Sequence, residues 1–164
     1  MHDNSSMGFN PPPTIRSGPW AIDDIERFLA QTAIPVRLAS NGQGFPLVQS
    51  QWFLYEDGGL WCCAKADSVL AKRLDRDPRC AFEVSGDLPP YSGVRGTGRA
   101  TQHAKEASRV LPLLIERYLG DTPSPLADWL LSRLDVEVAI RISDLSVTSW
   151  DYSARMTAPA DRRG

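Results

Sequence analysis

Apolar and polar positions alternate in short runs through most of this chain, and glycine- and proline-rich turns punctuate the runs. Pro35 to Ser40 (Pro-Val-Arg-Leu-Ala-Ser) places its larger apolar residues at every second position, the period of a strand with one buried face. Asn41-Gly42-Gln43-Gly44 predicts a hairpin turn into a long strand over Phe45 to Tyr55. Asp57-Gly58-Gly59 then turns the chain into a third strand, Leu60 to Ala64, completing a meander. Turns this tight impose antiparallel pairing, because parallel neighbours need a crossover of about a dozen residues. Further strands are predicted at Arg79 to Val84, Val94 to Thr101, Val136 to Ile142 and Leu145 to Asp151. In the run from Val136, Val138, Ile140 and Ile142 share one face, while Glu137, Ala139 and Arg141 share the other.

Helical spacing interrupts this pattern in four places. Ile22, Ile25, Phe28 and Leu29 predict a helix from Pro19 to Thr32, with Pro19 in the first turn. Ser68 caps a short helix to Asp75 that carries Leu70 and Leu74 on one face and stops at Pro78. A third, Lys105 to Leu119, stripes Ala107, Val110, Leu111, Leu114, Ile115 and Tyr118, is kinked by Pro112 and ends at Gly120. Ser124-Pro125 opens a fourth, with Leu126, Trp129, Leu130 and Leu134. Six or seven strands with helices inserted rather than alternating predict a small antiparallel barrel, closed or partly split. The barrel is expected over 19–153, with a flexible N-terminal segment (1–18) and a flexible C-terminal tail (154–164) too poor in apolar side chains to offset chain entropy.

Composition narrows the function. At 164 residues, 42% apolar and 23% charged, the chain can bury one domain's core. Eighteen Lys and Arg against 20 Asp and Glu leave a formal net charge of −2, so no general positive field draws in nucleic acid or an anionic membrane. No apolar run approaches the roughly 20 residues that span a bilayer. Met1 to Pro13 is polar and proline-rich, unlike a secretory signal, and the 3 cysteines form no Cys-x-x-Cys. A soluble, reduced, cytoplasmic protein is expected.

Candidate chemistry is sparse. The histidines, His2 and His103, are far apart, and adjacent Cys62 and Cys63 cannot give zinc its tetrahedral spacing. In a strand that pair faces opposite sides, one into the core and one lining a surface. No Gly-x-Ser-x-Gly elbow occurs. Gly93, Gly96 and Gly98 sit within or beside a strand and open no helix, so they mark a barrel corner or a close backbone approach rather than a dinucleotide turn.

Cys63 to Arg73 is more informative: a strand runs into a short loop and a Ser-capped helix with basic residues one turn in. Free N–H groups there, with the Ser68 hydroxyl and a lysine, could cradle a phosphate. An ordinary capped surface helix with solvated Lys72 and Arg73 accounts for the same residues. Gln49, Ser50 and Gln51 interrupt an otherwise apolar strand, so some face a polar ligand, water or a subunit boundary, or else simply solvent.

Taken in order, these segments resemble the pyridoxamine 5′-phosphate oxidase-like superfamily, the flavin-binding split barrels. The resemblance spans roughly residues 20 to 152: Val36-Arg37-Leu38-Ala39-Ser40, Pro46 to Trp61, Ser68 with Ala71 to Arg79, Pro89 to Ala100, and Val147-Thr148-Ser149-Trp150-Asp151-Tyr152. It implies a mainly β fold with inserted helices, a six- to seven-stranded antiparallel split β-barrel. It further implies a homodimer with flavin sites in clefts between subunits, and an FMN-dependent oxidoreductase acting on a small molecule. The ring would lie along the second strand, near Gln49, Ser50, Gln51 and Trp52. The phosphate would sit at Cys63, Ala64 and Ser68 with Lys65 and Lys72, and Arg95 and Trp150 would contact ring or substrate. Many members carry an Arg-Lys pair after the serine, where this chain has Val69-Leu70, leaving Lys65, Lys72 and Arg73 as cations. Some relatives use the deazaflavin coenzyme, haem or biliverdin instead, and a non-catalytic binding module is the alternative from another class.

Overall fold

The computed structural model describes residues 10–156. Flexibility expected of 1–9 and 157–164, and the position of His2, lie outside them. Seven strands form one hydrogen-bonded path in the order β3-β2-β6-β7-β8-β5-β4, with β1 added against β8. They are β1 (Thr14–Ser17), β2 (Val36–Ser40), β3 (Leu47–Gln51), β4 (Leu54–Glu56), β5 (Gly59–Lys65), β6 (Arg79–Ser85), β7 (Ser92–His103) and β8 (Glu137–Asp151). The helices are α1 (Ile22–Gln31), α2 (Val69–Arg76), α3 (Ala107–Leu119), α4 (Pro125–Leu131) and a single turn, α5 (Ser153–Met156). All pairings on the path are antiparallel and curl into a half-barrel, as the sequence predicts.

The long second strand departs from expectation. It breaks at Trp52-Phe53 into β3 and β4, which lie at opposite ends of the path, so the meander becomes two separate hairpins. Phe53 is fully buried, and its backbone N–H donates to the Tyr118 hydroxyl (3.2 Å) rather than to a neighbouring strand. Sinking one aromatic into the core thus splits the strand. The second hairpin keeps its turn: Asp57 (φ 49°) and Gly58 (φ 71°) are both left-handed, the conformation a two-residue turn between twisted strands requires.

The last two predicted strands are one, β8. Its first half pairs with β5 (Leu60↔Ile142 to Lys65↔Glu137) and its second with β1 (Thr14↔Ser146, parallel). Asp144 (φ 53°) and a register shift opposite Thr97 to Arg99 bend the strand between the halves. Gly98 serves that bend, since a Cβ there would lie 2.6 Å from Ile142 Cγ2, in line with the close-approach reading. β1 also corrects the N-terminal boundary, because residues 14–17 pair with β8 instead of hanging free. Trp20 then donates its backbone N–H to Ser149 Oγ (3.1 Å), which ties down the residues ahead of Ile22 and delays the helix predicted from Pro19.

The barrel interior packs Ile25, Leu29, Leu38, Phe53, Leu60, Ile140 and Ile142. A second cluster, Leu54, Trp61, Val110, Leu114 and Ala139, lies between α3 and the opposite face of β4, β5 and β8. That is why Glu137 and Ala139, on the side of β8 away from the barrel interior, are buried as well. It also means that Trp61 is covered within the chain. The uncovered sheet face is elsewhere: the row Val48–Ala39–Ala81–Thr97–Ser146 crosses five strands in register, and Val48 is 63% exposed.

Candidate functional site

Where β3 ends and the sheet splits, the chain leaves an open cleft of about 430 Å³. Its first wall is the run Ser50-Gln51-Trp52, carried to this edge by the hairpin from β2. Because β3 is the last strand of the path, the outer edge of its backbone has no strand partner among the described residues. Cys63, Ala64 and Lys65 at the end of β5 form the floor, with Ser68 just beyond. Leu111 and Leu114 of α3 and Leu126 and Leu130 of α4 supply an apolar roof. Arg133 and Glu137, on either side of the 3₁₀ turn Leu134–Val136, close one end.

The apolar end is rigid. Trp52 stacks on Tyr118 with ring centroids 5.0 Å apart and planes within 3°. The Tyr118 hydroxyl accepts from Phe53 N–H and reaches the Ile34 carbonyl (3.3 Å), so the indole is held against α3. The polar end carries mixed charge. Arg133 donates to Glu137 Oε1 at 3.3 Å, and Lys65 Nζ stands 3.6 Å from Asp67 Oδ1. Burial raises the Glu137 carboxyl above its usual range, while Arg133 and Lys65 pull it back down. Burial, then the Glu137 charge, pushes the Cys63 thiol up to about 12, so it stays protonated and unreactive at neutral pH. Of the adjacent cysteines, Cys62 is core and Cys63 lines the cleft, the division strand geometry predicts.

Ser68 caps α2 as expected, its Oγ accepting from Ala71 N–H (3.1 Å), and the hydroxyl proton is left to donate. Four residues named from sequence fall outside the cleft wall. Gln49 sits one residue before it, with a buried side-chain oxygen that lacks a hydrogen-bond partner among the described residues. Lys72 is exposed beyond α2's buried face. Arg95 and Trp150 lie together on the outer sheet face, guanidinium 5.7 Å from the indole centroid. Arg73 offers the cleft no charge, since it donates to the Ser40 and Phe45 carbonyls (3.3 and 3.4 Å) against the hairpin turn. His103 bonds Thr101 Oγ1 (2.8 Å) beside Trp61, away from the cleft.

Sequence reasoning missed Arg133, Glu137 and the leucines of α3 and α4. The leucine stripes were visible but read equally as core. An Arg and a Glu four apart were the signal for the pair, hidden because a helix-to-strand junction separates them. The donor set suits a planar apolar ring bearing an anionic tail: a flat aromatic and leucine surface at one end, two cations and a hydroxyl at the other.

The chain shares its split-barrel fold with solved structures that include a candidate pyridoxamine 5′-phosphate oxidase and an F420 reductase. No protein-family model matches the sequence, and no curated protein does. Among solved structures, a conserved hypothetical protein of Mycobacterium tuberculosis is 27% identical (TM-score 0.71), over 89% of this chain and 93% of that one. A Listeria innocua protein named as a candidate pyridoxamine 5′-phosphate oxidase is 18% identical (TM-score 0.60), over 77% of this chain and 95% of its own. An F420 reductase is 21% identical (TM-score 0.57), over 73% of this chain and 92% of its own.

Proposed function

We propose that the chain binds a flavin-type cofactor in this cleft, FMN or the deazaflavin coenzyme, and works as an oxidoreductase on a small molecule. The observation that carries the reading is that Ser50, Gln51, Trp52, Cys63, Ala64, Lys65 and Ser68, named from sequence for this role, line one cleft. The names of two structures sharing the fold, a candidate pyridoxamine 5′-phosphate oxidase and an F420 reductase, support the same class and keep both cofactors in view.

When bound, such a ring supplies the hydride chemistry, and the protein supplies position and electrostatics. The unpaired edge of β3 offers backbone hydrogen bonds to a polar ring margin. Trp52 and the leucines of α3 and α4 exclude water from the ring's faces. Lys65, Ser68 and Arg133 face the anionic tail. With no histidine in the cleft wall and Cys63 protonated, this reading assigns no acid, base or nucleophile to the protein.

On the same reading Arg95 and Trp150 reach a cofactor only across a subunit boundary, in a homodimer closed over the exposed Val48–Ala39–Ala81–Thr97–Ser146 row. No helix among the described residues is long and apolar enough to cross a membrane, and Cys62, Cys63 and Cys80 are free thiols, which suits a reduced cytoplasm. The test is titration of the purified chain with FMN and with the deazaflavin coenzyme, followed by absorbance and fluorescence. Saturable binding of either supports the reading, and binding of neither overturns it. Sedimentation at one chain's mass would remove the dimer.

A further inference from the structure

The cation that should meet a phosphate beside Ser68 is absent from its expected place. Helix α2 opens with Val69, 57% exposed, and Leu70, buried in the core, where neither can hold an anion. Lys72 points to solvent, and Arg73 is committed to two backbone carbonyls. Among the described residues lining the cleft, the cations are Lys65 and Arg133.

They differ in how far they are organised. The Lys65 side chain is 47% exposed, and its ion pair with Asp67 is long, at 3.6 Å. Arg133 is 25% exposed, and its guanidinium lies 4.3 Å from the Trp129 ring centroid. One amino group donates to Glu137 Oε1 at 3.3 Å, longer than the ~2.7–2.9 Å usual for a charge-assisted bond. Its other N–H groups make no hydrogen bond to a protein acceptor among the described residues. A stacked, planar, half-desolvated fork with spare donors matches a phosphate better than a solvated ammonium does, because little rotamer freedom remains to be lost.

We propose that Arg133 is the principal anion ligand of the cleft, taking the terminal phosphate of the cofactor in place of a cation on α2, and that Glu137 is the counterion it exchanges. The proposal rests on the flavin-type reading of the cleft for the identity of its ligand. It also gives a role to α4, which holds Arg133 at its C-terminal side through Trp129 and the Arg133 N–H to Leu130 carbonyl bond (3.2 Å). Displaced from Arg133, Glu137 would stand beside the phosphate as a competing charge, so neutralising it should strengthen anion binding.

The experiment titrates the full chain with FMN and with riboflavin, which share a ring and differ by the phosphate, and reads flavin fluorescence. Wild type should prefer FMN by roughly tenfold or more, the scale of hydrogen bonds to a charged group. Arg133→Gln should bring that ratio close to one with riboflavin affinity unchanged, and Glu137→Gln should widen it. An Arg133→Gln ratio equal to wild type, or an equal loss of both ligands, overturns the proposal. Should Arg133→Gln fail to fold, Arg133→Lys decides: a ratio reduced but above one supports the fork's role, and a wild-type ratio overturns it. If no flavin or deazaflavin binds at all, the cofactor reading has failed and the anion site is judged on inorganic phosphate. A phosphate-dependent rise in melting temperature present in wild type and lost in Arg133→Gln then sustains it, and no rise in wild type overturns it.

Discussion

Two arginines organise two junctions of this molecule, and they are used in opposite ways. At the junction of α1 and α3, Arg117 donates to the carbonyls of Ala30, Leu29 and Thr32 at 2.6, 3.0 and 2.6 Å and lies 5.3 Å from the Phe53 ring centroid. Those carbonyls belong to the end of α1, where no intrahelical donor remains and the last turn has no basic residue of its own. At the cleft, Arg133 has one long bond and unused donors. A guanidinium whose two amino groups are both spent on backbone carbonyls is architecture. One with spare, oriented donors is a binding group waiting for an acceptor, and the contrast can be measured.

The largest effect is expected at Arg117. Arg117→Ala strips three backbone carbonyls of a charged donor at once, and a cost of about 3 kcal/mol follows from the usual worth of such bonds. For a domain of this size that is a fall of about 6–12 °C in melting temperature. A loss below about 1 kcal/mol would mean that water replaces the guanidinium freely, and the contrast would collapse from the structural side. Arg133→Gln is the counterpart. With one long ion pair and the Trp129 stacking contact at stake, unfolding in urea should stay within about 1–2 kcal/mol of wild type. A penalty as large as that of Arg117→Ala would make Arg133 structural too.

The same contrast explains what the sequence discloses. Strand period, turn residues and the Ser68 cap are local signals, and they place β2, β5, β6 and α2 to within a residue or two. The split of the Phe45 to Tyr55 run is not local: it depends on Tyr118, 65 residues after Phe53, offering a hydroxyl to its amide. Joining β8 through Asp144 likewise depends on a distant partner, Gly98 of β7, whose missing side chain leaves room for the bulge in β8 opposite it. For the site, the polar interruption Gln49-Ser50-Gln51 and the Ser68 turn were legible because each is odd for its own element. Arg133 and the α4 leucines are ordinary residues for a surface helix, and only the folding of α4 over the end of β5 gives them a cleft to line.

The subtlest effect lies with Glu137, the buried partner in the comparison. Burial raises its folded-state pKa, against the opposing pull of Arg133 and Lys65, so the folded chain holds this proton to higher pH than the unfolded chain does. Folding is therefore favoured below the ordinary carboxylate range, and this contribution is lost as pH rises through the folded value. Cys63 on β5, whose thiol remains protonated throughout, adds no competing charge in that window. Glu137→Gln removes the titration. Measured by urea unfolding across the acid-to-neutral range, its stability relative to wild type should climb through that window and then level off. A difference that instead falls with rising pH would show the Arg133 ion pair outweighing desolvation. Arg133 would then be held more tightly than its 3.3 Å contact implies, and the two arginines would be alike after all.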